Sequence, residues 1–185
     1  MRRANAVDLR IAAAARAGAT AVATLVSALA AAQEGPNLGV VATPEQVAAW
    51  DLTILPDGSN LPPGRGTARE GAAVYMEKCV ACHGREGAGQ PNDRLVGGHG
   101  TLTDAEPVRT IGSYWPYATT VFDYIRRAMP YTAPQSLTAD ETYALTAYLL
   151  YLNGIIREDE EMNAETLPKV VMPNRDNFVN AYEPR

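Results

Sequence analysis

Cysteine and histidine are nearly absent, two of each in 185 residues. A four-ligand structural zinc site would consume all of them, Cys79, Cys82, His83 and His99 together. A disulfide between Cys79 and Cys82, three residues apart, would constrain almost nothing. Basic charge is also short. Sixteen Lys and Arg face 21 Asp and Glu, a net of −5 at pH 7, which disfavours nucleic acid and anionic lipid as partners. No stretch sustains an alternation of apolar and polar residues, so strands should be few. No internal repeat is evident.

The few cysteines that are present sit in one place. Cys79-Val80-Ala81-Cys82-His83 is a C-x-x-C-H run, the attachment signature of c-type haem. Two thiols one helical turn apart add across the vinyl groups of the porphyrin, and the adjacent imidazole meets the iron from the proximal side. A thioredoxin-like redox pair would need a βαβ context, which the flanks do not provide. One such run implies one haem.

The N-terminus reads as an export signal over residues 1–32. Met1-Arg2-Arg3 with Arg10 forms a positive region, Ala17 to Ala32 is small and apolar, and Ala28-Leu29-Ala30 and Ala30-Ala31-Ala32 fit the cleavage pattern. An uncleaved anchor is the alternative. Arg16 interrupts the apolar run, and the part after it is shorter than the roughly 20 residues a span needs. A cleaved signal makes the mature protein periplasmic, without a membrane span. Residues 1–32 carry Arg2, Arg3, Arg10, Arg16 and Asp8, net +3, which leaves −8 for the rest of a chain whose total is −5. Such a surface suits a partner with a basic docking patch, or is simply a solubilising surface.

The remainder divides into an N-terminal arm (33–66), a core domain (67–153) and a C-terminal extension (154–185). The arm is rich in Pro and Gly. Thr43-Pro44-Glu45-Gln46 starts a short helix running to Trp50. Thr67-Ala68-Arg69-Glu70 is a capping box that opens the first core helix. Gly71 and Tyr75 put a small residue and an aromatic on one face of it, where another helix can approach closely. A second helix runs from about Thr120 to Ala128 on Val121, Tyr124, Ile125 and Ala128. Thr138-Ala139-Asp140-Glu141 caps a third, whose Leu145, Tyr148, Leu149 and Leu152 follow helical spacing, and Asn153-Gly154 closes it. The expected fold is all-α, with the first and last core helices packed together. The extension carries an acidic run, Glu158 to Glu161, and an apolar one, Val170-Val171-Met172-Pro173. The latter should pack back on the domain.

The second iron ligand is open among Met129, His99 and Met172. Met76 lies one turn before Cys79 and cannot reach the other face. Met129 ends a helix, precedes Pro130 and leads into an irregular stretch, which lets a thioether point inward. Methionine–histidine ligation raises the reduction potential. The partner of His83's other ring nitrogen should be a backbone carbonyl, near Pro91. Tyr114, Trp115, Pro116 and Tyr117 can line the haem, and Arg126 or Arg127 can reach a propionate.

Gly71-x-x-x-Tyr75, the C-x-x-C-H run, Met129-Pro130 and Tyr148-Leu149-x-x-Leu152, in this order, resemble a class I cytochrome c over about residues 67–153. Gly112-Ser113-Tyr114-Trp115-Pro116-Tyr117-Ala118-Thr119-Thr120, Asp123 to Pro130, Thr166 to Val170 and Met172 to Asp176 are similar to the SoxD cytochrome family. That resemblance implies a class I cytochrome c fold around one covalent haem c on Cys79 and Cys82, with His83 and Met129 as axial ligands. It implies an electron carrier or oxidoreductase subunit serving a periplasmic molybdenum dehydrogenase of sulfane sulfur or sulfite. A SoxC-like enzyme would be the donor, and another cytochrome or an oxidase the acceptor. A general periplasmic shuttle, and a haem sensor or peroxidatic haem, are the alternatives.

Overall fold

The computed structural model describes residues 38–179 and Tyr182. The expected signal segment, 1–32, lies outside them. The chain divides into two compact units, Met1–Val47 and Ala48–Arg185. Among the described residues no helix is long and apolar enough to cross a membrane.

The described part of the first unit, residues 38–47, is exposed throughout. It holds the start of helix α1 (Pro44–Trp50), where Thr43 and Gln46 exchange side-chain to backbone hydrogen bonds of 2.9 and 3.3 Å. The reciprocal pair satisfies donors that a helix start leaves open.

The second unit contains a short antiparallel pair, β1 (Arg65–Gly66) and β2 (Met162–Asn163), and four helices: α2 (Ala68–Lys78), α3 (Val80–His83), α4 (Ala118–Ala128) and α5 (Ala139–Leu152). Both capping boxes form. Thr67 N–H donates to Glu70 at 2.8 Å and Thr138 N–H to Glu141 at 2.8 Å, with the return bonds at 3.4 and 3.1 Å. Helix α4 begins at Ala118, two residues before the expected start. Its N-cap is Tyr117, which makes no side-chain capping bond, so no local signal marks that end.

Helix α5 is buried on nearly all sides, from Thr142 to Leu150 apart from Tyr148. A helix surrounded this way is the core element of a small domain. The buried Thr142 and Thr146 hydroxyls donate back to the carbonyls of Thr138 and Thr142 at 2.8 and 2.7 Å, so neither is an unpaired polar group. Helix α2 crosses α5 at Gly71. A Cβ there would lie 1.9 Å from the Ala144 carbonyl oxygen, so the two backbones are in direct contact. Tyr75 and Tyr148 then meet at 5.4 Å between ring centres.

The chain on both sides of these helices packs onto them. Before β1, Ile54 is buried and its N–H donates to Asp123 at 3.1 Å, while Tyr143 hydroxyl donates to the Pro62 carbonyl at 2.9 Å. Asp123, itself buried, also receives both Arg127 Nε contacts at 3.0 Å. This occupies Arg127, one of the two arginines read from sequence as able to reach a propionate. After α5, Leu167 and Met172 are fully buried and Asn174 donates to the Tyr114 carbonyl at 2.8 Å. Each such apolar burial contributes about 1.5–3 kcal/mol.

Candidate functional site

A cavity of about 390 Å³ opens among α2, α3, α4 and α5. Its wall is mainly apolar, built from Tyr75, Ile111, Trp115, Val121, Ile125, Leu145 and Leu149. Cys79, Cys82, His83 and Met129 all lie on that wall.

The C-x-x-C-H run is shaped by its own turn. Cys79 ends α2, its N–H donating to the Tyr75 carbonyl at 2.9 Å, and begins α3. Cys82 and His83 N–H both donate to the Cys79 carbonyl, at 3.1 and 3.0 Å. Gly84 then leaves the helix at φ 72°, where a Cβ would lie 2.4 Å from the Gly89 carbonyl oxygen. Only glycine allows both that conformation and that approach. The returning loop is pinned by Gly89 N–H to the His83 carbonyl at 2.8 Å and Asn92 N–H to the Cys82 carbonyl at 2.9 Å. Tyr75 hydroxyl donates to the Gly84 carbonyl at 2.9 Å, and burial pushes its phenol up to about 12.

His83 Nδ1 lies 2.9 Å from the Asp93 carbonyl oxygen. A carbonyl only accepts, so Nδ1 carries a proton, and in the neutral ring the lone pair is then on Nε2. This fixes ring orientation and leaves Nε2 as the ring nitrogen free to meet a metal. The sequence located the carbonyl near Pro91; it is two residues further on.

Met129 reaches the wall from another element. Helix α4 ends there, with Met129 N–H donating to the Ile125 carbonyl at 3.0 Å and its backbone turning extended before Pro130. The other candidates for the second ligand are elsewhere. His99 is exposed, Met76 is half exposed on α2, and Met162 and Met172 are buried in the hydrophobic core. Among the described methionines, Met129 alone is on the cavity wall.

The arrangement suits a flat apolar macrocycle with a central metal. Two thiols one turn apart and two neutral donors, nitrogen and thioether, border a cavity with hydrophobic walls. It does not suit zinc. No group of three His, Cys, Asp or Glu side chains is placed to hold a metal ion among the described residues. Thiol exchange is disfavoured at Cys79, where burial, with Cys82 adding, pushes the thiol up to about 11. The thiolate is the reactive form in such exchange.

Of the aromatic run, Trp115 lines the cavity and packs edge-on against Tyr124 at 5.7 Å. Tyr114 and Tyr117 lie beneath the guanidinium groups of Arg109 and Arg175, at 5.6 and 5.7 Å. Sequence reasoning missed the charged wall residues Lys78, Asp93, Arg94 and Arg109. Nothing in their local pattern marks them, since a long-range fold brings them to one surface.

Lys78 is paired with Glu141 across the α2–α5 contact at 2.6 Å. Hydrogen bonding to Lys78, then to the Thr138 backbone, holds the Glu141 carboxyl below the usual carboxylate value. A carboxyl depressed by folding contributes stability that is present above its unfolded pKa and lost as pH falls through the folded one. Glu141→Gln should therefore lower stability by about 1 kcal/mol at pH 7 and shrink the difference from wild type below pH 4. Chemical denaturation at both pH values measures this; an equal deficit at both would refute it.

A family profile described as cytochrome c oxidase, cbb3-type, subunit III matches residues 66–149. None of the curated proteins matches the chain. Among solved structures, the crystal structure of the sulfane dehydrogenase SoxCD from Paracoccus pantotrophus contains a chain 45% identical to this one. The alignment covers 80% of this chain and 73% of that one, with a TM-score of 0.75.

Proposed function

Because this chain belongs to the class I cytochrome c family, alongside the SoxD-type subunit of sulfane dehydrogenase, we propose that it is a mono-haem carrier taking electrons from a periplasmic molybdenum dehydrogenase of sulfur compounds. Electron transfer by a haem c protein is the general function of the family. The single observation that carries the haem assignment is the common wall shared by Cys79, Cys82, His83 and Met129.

Bound haem supplies a one-electron ferric/ferrous couple. The residues of this chain do the rest. The Cys79 and Cys82 thiols would hold the group covalently, each by addition of its S–H across a vinyl substituent, which needs no oxidant. His83 offers Nε2 to the iron, held in place through Nδ1 by the Asp93 carbonyl. Met129 at the end of α4 would hold the metal of the group through its thioether, from a different element than His83. The apolar wall excludes water, which keeps the polar reorganisation accompanying a change of charge small.

Export is part of the same reading. Residues 1–32 serve as a cleaved signal, and the protein works in the periplasm. A SoxC-like molybdoenzyme is the donor and a further cytochrome or an oxidase the acceptor, supported by the 45% identity to a chain of a sulfane dehydrogenase complex.

The test is protein purified from periplasm. Its colour should survive acidified acetone, and its mass should equal the chain from about residue 33 plus one haem. The molybdoenzyme should co-elute with it on gel filtration and reduce it when sulfane sulfur is supplied. A colourless product, or pigment extracted by acid acetone, defeats the haem assignment. A pigmented protein that neither binds the dehydrogenase nor is reduced by it defeats the partner.

A further inference from the structure

The Asp93 carbonyl that orients His83 belongs to an exposed residue outside any helix or strand. Water competes there for the carbonyl and for the ring Nδ1–H. The 2.9 Å contact therefore depends on how the loop around Asp93 is anchored. Before it, Asn92 N–H donates to the Cys82 carbonyl at 2.9 Å. After it, Leu95 N–H donates to the Gly87 carbonyl at 2.9 Å. The Leu95 carbonyl in turn receives Ile111 N–H at 3.3 Å and Asn153 Nδ2 at 3.2 Å.

Asn153 supplies the side chain of this set. It ends α5 and is only 6% exposed. Its Oδ1 accepts Gly97 N–H at 3.0 Å, while Nδ2 donates to the Leu95 and Leu149 carbonyls at 3.2 and 2.8 Å. One N–H and two carbonyls around one amide fix which end is oxygen and which is nitrogen. Gly112 leaves the space, since a Cβ there would lie 2.2 Å from Oδ1. Two of the three bonds reach the His83 loop and the third reaches back into α5. A buried amide thus ties an exposed loop to a helix that is buried on nearly all sides.

We propose that Asn153 is a positioning residue for the proximal ligand. By holding Leu95 and Gly97 it keeps the Asp93 carbonyl against His83 Nδ1, and so sets how strongly the imidazole donates to the metal. The proposal rests on the haem assignment above. A ring whose Nδ1–H is firmly hydrogen-bonded is the more basic donor through Nε2. A more basic donor favours the ferric state, so loosening the loop shifts the couple toward ferrous.

The experiment uses the holoprotein with Asn153→Ala, Asn153→Ser and, as control, Leu150→Ala. Serine can still bond the Leu149 carbonyl one turn back but is too short to span to Leu95. It keeps the helix end and removes the loop contact. Leu150 is fully buried on the same helix and is not on the cavity wall. Mass with one haem, acid-acetone resistance and the methionine–iron band, measured on wild type and each variant, report on the haem assignment separately from the proposal. Both Asn153 variants should shift the equilibrium toward ferrous about threefold, about 28 mV on a scale of about 59 mV per tenfold for one electron. In NMR of the reduced proteins, His83 Nδ1–H should exchange with solvent about tenfold faster than in wild type, because the loop opens more often. Leu150→Ala should lose at least as much stability while both readings stay at wild type. A wild-type potential and exchange rate in Asn153→Ser would overturn the proposal. So would equal changes in Leu150→Ala, which would reduce the effect to general loosening of the helix.

Discussion

Met129→Ala should abolish the methionine–iron charge-transfer band of the oxidised protein while leaving the haem covalently attached. It should also lower the potential by more than about 59 mV, a decade in the ferrous/ferric equilibrium. Thioether is a soft, neutral ligand that favours the ferrous state, and water or a harder donor in its place does not. The reduced variant should bind carbon monoxide tightly, where wild type should not. The expectation comes from placement. Met129 is the one described methionine on the cavity wall, delivered by a helix end that Pro130 cannot prolong. His99→Ala and Met172→Leu are the controls. His99 is exposed, so its loss should change nothing in the spectrum. Met172 is fully buried in the core, and leucine there should cost less than about 1.5 kcal/mol with the band intact. If the band persists in Met129→Ala, the ligand is another residue. If it vanishes in Met172→Leu instead, the C-terminal extension supplies it.

What the sequence disclosed depended on how local the cause was. The starts of α2 and α5 were readable because a Thr and a Glu three residues apart satisfy each other's backbone groups, and both pairs form. The closing of α5 at Asn153 was readable for a similar reason. The C-x-x-C-H run is legible because its chemistry demands two cysteines and a histidine within five positions. The start of α4 was not, because Tyr117 caps nothing with its side chain. Asp123 lies within α4, and its carboxylate is a buried acceptor for an amide 69 residues away. No periodicity marks a bond of that range. The same holds for Arg127, which that aspartate engages, and for Arg109, whose place on the cavity wall depends on a loop anchored through Thr110 and Ser113. Charged residues of the site were invisible wherever tertiary contacts alone brought them together.

Gly71 shows the opposite case, a single residue whose identity is dictated by one contact. Two effects compete in Gly71→Ala, and their signs differ. Helix propensity favours alanine inside α2 by about 1 kcal/mol. Against that, the new Cβ would sit 1.9 Å from the Ala144 carbonyl oxygen and 2.5 Å from its carbon, both backbone atoms that cannot rotate away. Only separation of α2 from α5 relieves the overlap, and overpacking of this kind costs about 3 kcal/mol or more. The clash should win, leaving a net loss of about 2 kcal/mol or more. Gly71→Val should be worse, and Ala73→Gly, on the exposed face of the same helix, should lose only the propensity term, about 1 kcal/mol. Thermal and denaturant unfolding of the holoproteins gives the order directly. The damage should extend to the site, because Tyr75 on one helix and Leu145 and Leu149 on the other are walls of the same cavity. A weakened methionine–iron band should therefore accompany the lower stability in Gly71→Ala but not in Ala73→Gly. A Gly71→Ala protein more stable than wild type would show that the two backbones do not touch, and with that the geometry of the cavity itself would have to be redrawn.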